Sequence, residues 1–288
     1  MNKGLANNLF GGLVYLVLIL FALIIFIPLL YLIFTSFATE QEILSRGFFI
    51  FPKQWTFGSY QFLFHYEPFM LAYKAAIEIT VVGVLVNLAM TTLMAYGLSK
   101  SWLVGRKVLN FMIVFTMLFN GGMIPTYLVV YELGLLNNYW ALWLVSAISA
   151  FNLIVMRSFF RGIPEEISEQ ARIDGCGEWR LLGQIVLPLS KPALATFTLL
   201  YLVFQWNTYF NAILYLNDAT MYPLQVFLRT ILVQDESMIV GNDITSQFSS
   251  SPATKNAAIF LTALPLLAIY PFLQKYFVKG MLLGSVKG

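Results

Sequence analysis

Amides and aromatic rings crowd one short stretch of the chain: Gln205, Trp206, Asn207, Tyr209 and Asn211, with Tyr215 just beyond. An amide both donates and accepts hydrogen bonds, and a ring offers a flat apolar face, so the set suits a solute rich in hydroxyl groups. The stretch lies in a run too apolar to face water, where a polar side chain is costly unless it turns inward. Asn207 and Asn211 stand i, i+4, which on a helix is one face. Amides in such runs also bond helix to helix, so lining a pathway and joining helices are both open readings. Asn87, Asn120 and Asn152 are weaker candidates of the same kind.

Other chemistries lack their parts. The chain has one histidine, His65, and one cysteine, Cys176, which excludes an intrachain disulfide and leaves too few ligands for a dedicated transition-metal site. No nucleophile has a base to activate it, and His65, between Phe64 and Tyr66, reads as an interfacial residue. No G-x-x-x-x-G-K-[ST] segment is present to cradle a phosphate. Acids inside the apolar runs are scarce, and Glu78, four residues after Lys74, reads as half of an interfacial ion pair. The chain therefore carries the makings of a pathway without an energy source of its own.

The elements that must position these residues follow from composition. Of 288 residues 59% are hydrophobic and 11% charged, with a mean hydropathy of +0.76. A water-facing surface needs about 25% charged residues, so lipid must cover much of this one. A span needs about 20 mostly apolar residues. Runs of that kind lie roughly at Leu13–Phe37, Ala75–Leu98, Val108–Tyr131, Tyr139–Phe160, Ala193–Leu216 and Ala257–Val278. The reading is an all-α integral membrane protein with about six spans, a single domain over 1–288. The first run is too long for a cleavable signal and no small-residue cleavage site follows it. With both termini inside, Lys3, Lys100, Arg106, Lys107, Arg157, Arg161, Arg172, Arg180, Lys191, Lys275, Lys279 and Lys287 lie inside and only Arg46, Lys53, Lys74, Arg229 and Lys255 outside, so the positive-inside rule sets N-in, C-in. Gly121, Gly122 and Pro125 in the third run mark a kink or close packing. The outside segment 38–74 is rich in aromatics, and the polar stretch Gly241–Ser251 reads as a mobile loop.

One inside segment, 161–192, is long enough for structure of its own. Pro164 fits the first position of a helix, and Glu165 and Glu166 suit its first turn. Ile163, Ile167 and Ala171 mark an apolar stripe, with Ile173 a further candidate. Asp174-Gly175 ends the helix with a glycine available for a left-handed cap. A second amphipathic piece runs from Glu178 to Val186, and Pro188 ends it.

Here the sequence resembles the permeases of binding-protein-dependent ABC importers. Their inside loop reads Glu-Ala-Ala, two residues, Asp-Gly, nine residues, Ile-x-Leu-Pro. This chain has Glu169-Gln170-Ala171, then Asp174-Gly175, then Ile185-Val186-Leu187-Pro188, with nine residues between Gly175 and Ile185. Gln170 replaces the first alanine of the pattern, and Cys176 a usual alanine after the glycine. Phe119–Tyr127, Leu133–Asn137, Trp206–Asn211 with Pro223–Gln225, and the closing Gly280–Gly288 are similar to the carbohydrate branch, its maltose-type and complex-saccharide permeases among them.

The resemblance implies a transport subunit of the bacterial cytoplasmic membrane, not an enzyme, that moves an oligosaccharide or polysaccharide fragment inward. It implies that the 163–188 loop is a coupling helix seated in a groove of an ATPase, through Pro164, Glu165, Glu169, Gln170, Ala171, Asp174, Gly175, Ile185, Leu187 and Pro188. It implies two ATPase subunits holding ATP and magnesium, a second homologous permease, a sugar-binding protein outside, no nucleic acid, and no cofactor on this chain. An importer of a non-sugar solute, a membrane-embedded glycan-modifying enzyme and a membrane anchor are the rival readings. The enzyme needs clustered acids or histidines, which are not found.

Overall fold

The computed structural model describes the backbone of residues 3–233 and 251–285 and the side chains of residues 10–232 and 251–272. The polar stretch before Ser251 and the side chains of Gly280–Gly288 lie outside the described residues. What is described is helical, with one isolated antiparallel bridge between Ala38 and Trp55. Three helices are long and apolar enough to cross a bilayer: α1 (Lys3–Ser36) over Phe10–Ser36, α4 (Glu67–Ser99), and α15 (Pro252–Ser285) over Pro252–Phe272. Three bent pairs raise the number to six if each pair is one span.

The first of these breaks has a local cause. The third expected run divides into α5 (Arg106–Leu118) and α6 (Met123–Glu132), bent by 118°. Gly122 between them has φ +88°, open to glycine alone at little cost. Pro125 sits in the first turn of α6, where its missing N–H is no loss, and Asn120 Oδ1 accepts the Gly122 N–H at 2.8 Å. This is the kink that Gly121, Gly122 and Pro125 announced. The fourth run divides into α7 (Tyr139–Val145) and α8 (Ala150–Arg161), bent by 54°. The fifth stops at Trp206 in α12 (Lys191–Trp206) and resumes as α13 (Phe210–Tyr215).

The chain forms two compact units. The first joins residues up to Met70 with Leu228–Leu264. It holds α1, α2 (Glu40–Arg46) and α3 (Gly58–His65). None of the apolar window of α1 is buried within the chain, as expected of a helix that lipid or another chain must cover. The aromatics of segment 38–74 pack on its last turns: Phe48 stacks on Tyr31 at 5.1 Å and Phe51 lies 4.6 Å from Phe34. Glu42 pins the same segment by accepting the Lys53 and Gln54 N–H groups at 2.8 and 3.2 Å.

The second unit, Leu71–Phe227 with the chain from Pro265 onward, contains two hydrophobic cores. One gathers α8, the start of α12 and the long loop around Leu153, Met156, Leu181 and Phe197. The other gathers α6, α7 and α13 around Val130, Leu142 and Tyr215. At the far end, the Asn137 Oδ1 accepts the N–H groups of Asn217 and Asp218 at 3.0 and 2.9 Å, which ties the α6–α7 turn to the chain beyond α13. Lys74 and Glu78, expected to pair, are both exposed and form no ion pair among the described residues.

Candidate functional site

The loop between α8 and α12 folds as α9 (Glu165–Ile173), α10 (Glu178–Leu181), a π-turn over Leu182–Val186 and α11 (Leu187–Leu189). Pro164 is the N-cap of α9, with ψ 132°, rather than its first helical residue. The pyrrolidine still costs no hydrogen bond there. Asp174 is the C-cap, and Gly175 follows with φ +77°. The Cys176 N–H donates to Ala171 O at 2.9 Å and the Gly175 N–H to Arg172 O at 3.0 Å. That pair of bonds is the Schellman closure, which a left-handed glycine permits.

Pro188 does not end the second piece. A proline clashes with the carbonyl four residues before it and lacks the N–H that would bond there. The π-turn immediately upstream, where the Leu187 N–H reaches Leu182 O, shifts the bonding by one residue and admits the ring. The helix instead stops at Ser190, where Glu178–Leu189 meets Lys191–Trp206 at 83°.

Burial divides the loop into an anchored side and a free side. Ala171, Leu181, Leu182 and Val186 are buried in the first core, and Ile163, Cys176, Ile185 and Leu187 pack against it. Glu165, Glu169, Gln170, Asp174 and Pro188 are exposed. Ile173 is 78% exposed and so is Trp179. Ile173 therefore leaves the stripe expected of it, because the helix ends there and the chain unwinds into the left-handed turn. Two large apolar side chains flank that turn and touch little of their own chain.

An anchor that sequence spacing did not reveal holds the loop to α4. Tyr96 OH donates to Glu178 Oε2 at 2.6 Å, and Arg172 Nε and Nη2 donate to Glu178 Oε1 at 3.1 and 2.8 Å. Lys100 Nζ lies 4.4 Å from the centroid of the Tyr96 ring. Burial pushes the Glu178 carboxyl up, but the Tyr96 hydroxyl and the Arg172 guanidinium outweigh it and hold it below its ordinary 4.5. A carboxylate with a depressed value stabilises the fold above that ordinary value and loses its contribution as pH falls through the depressed one. The anchor is thus constant across neutral pH and fails only in acid. The Glu178 side chain is 38% exposed, so solvent screening limits the ion pair to about 1 kcal/mol or less. Glu178→Ala is expected to speed amide exchange in α9 roughly fivefold at neutral pH, and Glu178→Gln, which keeps an acceptor for Tyr96, by less. Equal rates in both variants and wild type would remove the anchor.

The amide stretch scatters. Gln205 is 2% exposed, and its Nε2 donates to Asn87 Oδ1 at 2.7 Å. Asn87 Nδ2 donates to the carbonyls of Ser146 and, at 3.0 Å, Ala147. These are acceptors freed where α7 ends, and such groups must find partners away from water. Trp206 is buried, edge-on to Tyr73 at 6.2 Å, and lines an apolar cavity of about 280 Å³ with Ile77, Val81 and Pro265. Asn207 is exposed and its Nδ2 turns back to Val203 O at 2.8 Å. Because α12 stops at Trp206, Asn207 and Asn211 do not share a helix face. Tyr209 and Asn211 are half-buried, and Asn152 is buried at the start of α8.

Comparison with known proteins gives a consistent set of likenesses. No protein-family model matches the chain. It is 47% identical over 286 residues to the polygalacturonan/rhamnogalacturonan transport system permease protein YtcP of Bacillus subtilis (strain 168), covering 98% of this chain and 99% of that one. Protein LplC of the same organism is 49% identical over 263 residues, covering 91% and 89%. A chain in the crystal structure of a bacterial ABC transporter involved in the import of the acidic polysaccharide alginate superposes with a TM-score of 0.88 at 36% identity, covering 94% of this chain and 98% of that chain.

Proposed function

The chain belongs to the family of sugar ABC transport permeases, and from that membership we propose that its 163–188 loop is the part through which a separate ATPase drives import. The permease carries an oligosaccharide or polysaccharide fragment across the membrane. The observation behind the coupling role is the form of the loop. A short helix is closed by a left-handed glycine, bound to the body on one side, and left with Ile173 and Trp179 bare on the other. Such a piece moves with whatever grips it. Two ATPases closing on ATP and magnesium would draw the loops of two permeases together, and α8 and α12, which the loop joins, would follow. The second permease is read as a different, homologous chain, and a sugar-binding protein delivers the solute from outside the bacterial cytoplasmic membrane. The chain is then a transport subunit and not itself an enzyme.

The carried solute is read as a fragment that contains uronic acid. YtcP is named for polygalacturonan and rhamnogalacturonan, and the alginate importer carries an acidic polysaccharide. The test is co-expression with the partner permease and the ATPase, comparing wild type with Gly175→Trp. A side chain at φ +77° costs about 1–2 kcal/mol and opens the Schellman closure. Retained ATPase and its hydrolysis are expected to fall roughly tenfold while the permease pair stays intact. Unchanged retention and hydrolysis would end the coupling reading. In vesicles, uptake of labelled oligogalacturonide should be competed by unlabelled oligogalacturonide and not by maltodextrin; the reverse would end the uronate reading.

A further inference from the structure

The second unit is stiff at neither the α7–α8 nor the α12–α13 break by backbone alone. α7 gives Leu142 to one core while α8 gives Met156 to the other, and α13 and α12 divide the same way at Tyr215 and Tyr201. Between each pair the backbone leaves helical geometry, and interrupted hydrogen bonding is where a helix bends. A push delivered at α9–α11 would be spent at those breaks unless something held the two cores together. α4 does run through both, from Ile79 to Tyr96, and it carries the side chain that reaches the breaks.

Asn87, fully buried on α4, holds the Ser146 and Ala147 carbonyls through Nδ2 and accepts Gln205 Nε2 through Oδ1. Gln205 lies one residue before α12 stops, and its Nε2 also stands 3.4 Å from Ser146 Oγ. One buried amide pair therefore bridges the continuous helix, the α7–α8 break and the end of α12. Away from water such bonds have no competing partner. Gly83, one turn before Asn87, makes the room: a Cβ there would stand 2.5 Å from Gln205 Cδ.

We propose that Asn87 and Gln205 form a clasp that makes the two cores move as one body, so that displacement of the loop reaches α6, α7 and α13. They are positioning residues, since neither needs to touch the solute. The inference rests on the permease reading above and asks more of it.

The test uses the full complex in vesicles: this chain, its partner permease, the ATPase and the sugar-binding protein. Asn87→Leu removes the amide, and Gly83→Ala expels the Gln205 amide while leaving Asn87 and Gln205 in the sequence, so a failure of the first variant to assemble leaves the second. Hydrolysis and uptake are measured on the same vesicles. Spin labels at Val104, in the turn between α4 and α5, and at Leu133, which caps α6, both exposed, report its rigidity, with Cys176→Ser as background. Wild type is expected to keep one narrow distance with and without trapped ATP. The variants are expected to hydrolyse ATP at the wild-type rate, lose roughly tenfold in uptake per ATP, and show a broadened distance. Preserved uptake per ATP in an assembled variant, or a wild-type distance that changes with nucleotide, would overturn the clasp. Wild-type vesicles that take up no saccharide would overturn the permease reading, and the clasp with it.

Discussion

Replacing Ile173 and Trp179 together by aspartate is expected to strip the ATPase from the complex while the permease stays folded. Both side chains are 78% exposed, so the chain itself loses little packing, and substitutions at such positions usually stay within about 0.5 kcal/mol of neutral. A partner that buries them faces a different ledger. Buried aromatic and aliphatic anchors at the centre of an interface cost about 2–4 kcal/mol each when truncated, and an aspartate adds a charge that must be desolvated unpaired. Together these predict a loss of ATPase affinity of at least about a hundredfold. The measurement is titration of purified ATPase onto permease in nanodiscs. Val104→Asp is the control, since Val104 is 93% exposed and lies outside the loop; it should bind as wild type does. Double-variant binding within about threefold of wild type, which is under 1 kcal/mol, would show that the ATPase grips some other part of the chain.

Which of these features could be read from the residues is itself a matter of range. The spans were legible because hydrocarbon thickness imposes length, and length survives averaging over a window. The kink in the third run was legible because Gly121, Gly122 and Pro125 fall within five residues and each acts on its own backbone. The breaks in the fourth and fifth runs were not. Ser146–Ser149 and Asn207–Tyr209 contain no glycine or proline, and the carbonyls freed at the first are met by Asn87, 59 residues before Ser146, itself bonded to Gln205, 118 residues after Asn87. The same holds within the loop. Gly175 as a left-handed cap follows from its place after Asp174, but the exposure of Ile173 follows from where α9 stops. Arg172 and Glu178 lie close in sequence, yet the other partner of Glu178, Tyr96, is 82 residues from it. Pro188 misled because a proline ends a helix only when the turn before it cannot rearrange, and here a π-turn does.

Leu181→Ala is expected to act on the opposite side of the loop and with the opposite signature. Leu181 is fully buried in the first core, beside Leu182 and Val186. Truncating a buried leucine costs about 2–5 kcal/mol, part transfer and part cavity. The polar anchor is worth less, since the Arg172 and Glu178 side chains are each more than a third exposed to solvent, so the hold of the loop on the body is mainly apolar. The isolated permease should therefore lose thermal stability, by several degrees in its inactivation midpoint, before any ATPase is added, and ATPase retention should fall with it. Leu181→Met, close in volume, should cost less than about 1.5 kcal/mol and keep both. The aspartate pair at Ile173 and Trp179 should do the reverse, sparing stability and removing affinity. If Leu181→Ala leaves the midpoint unchanged, the loop is held by its polar contacts alone, and the lever that the coupling reading requires has no fixed end.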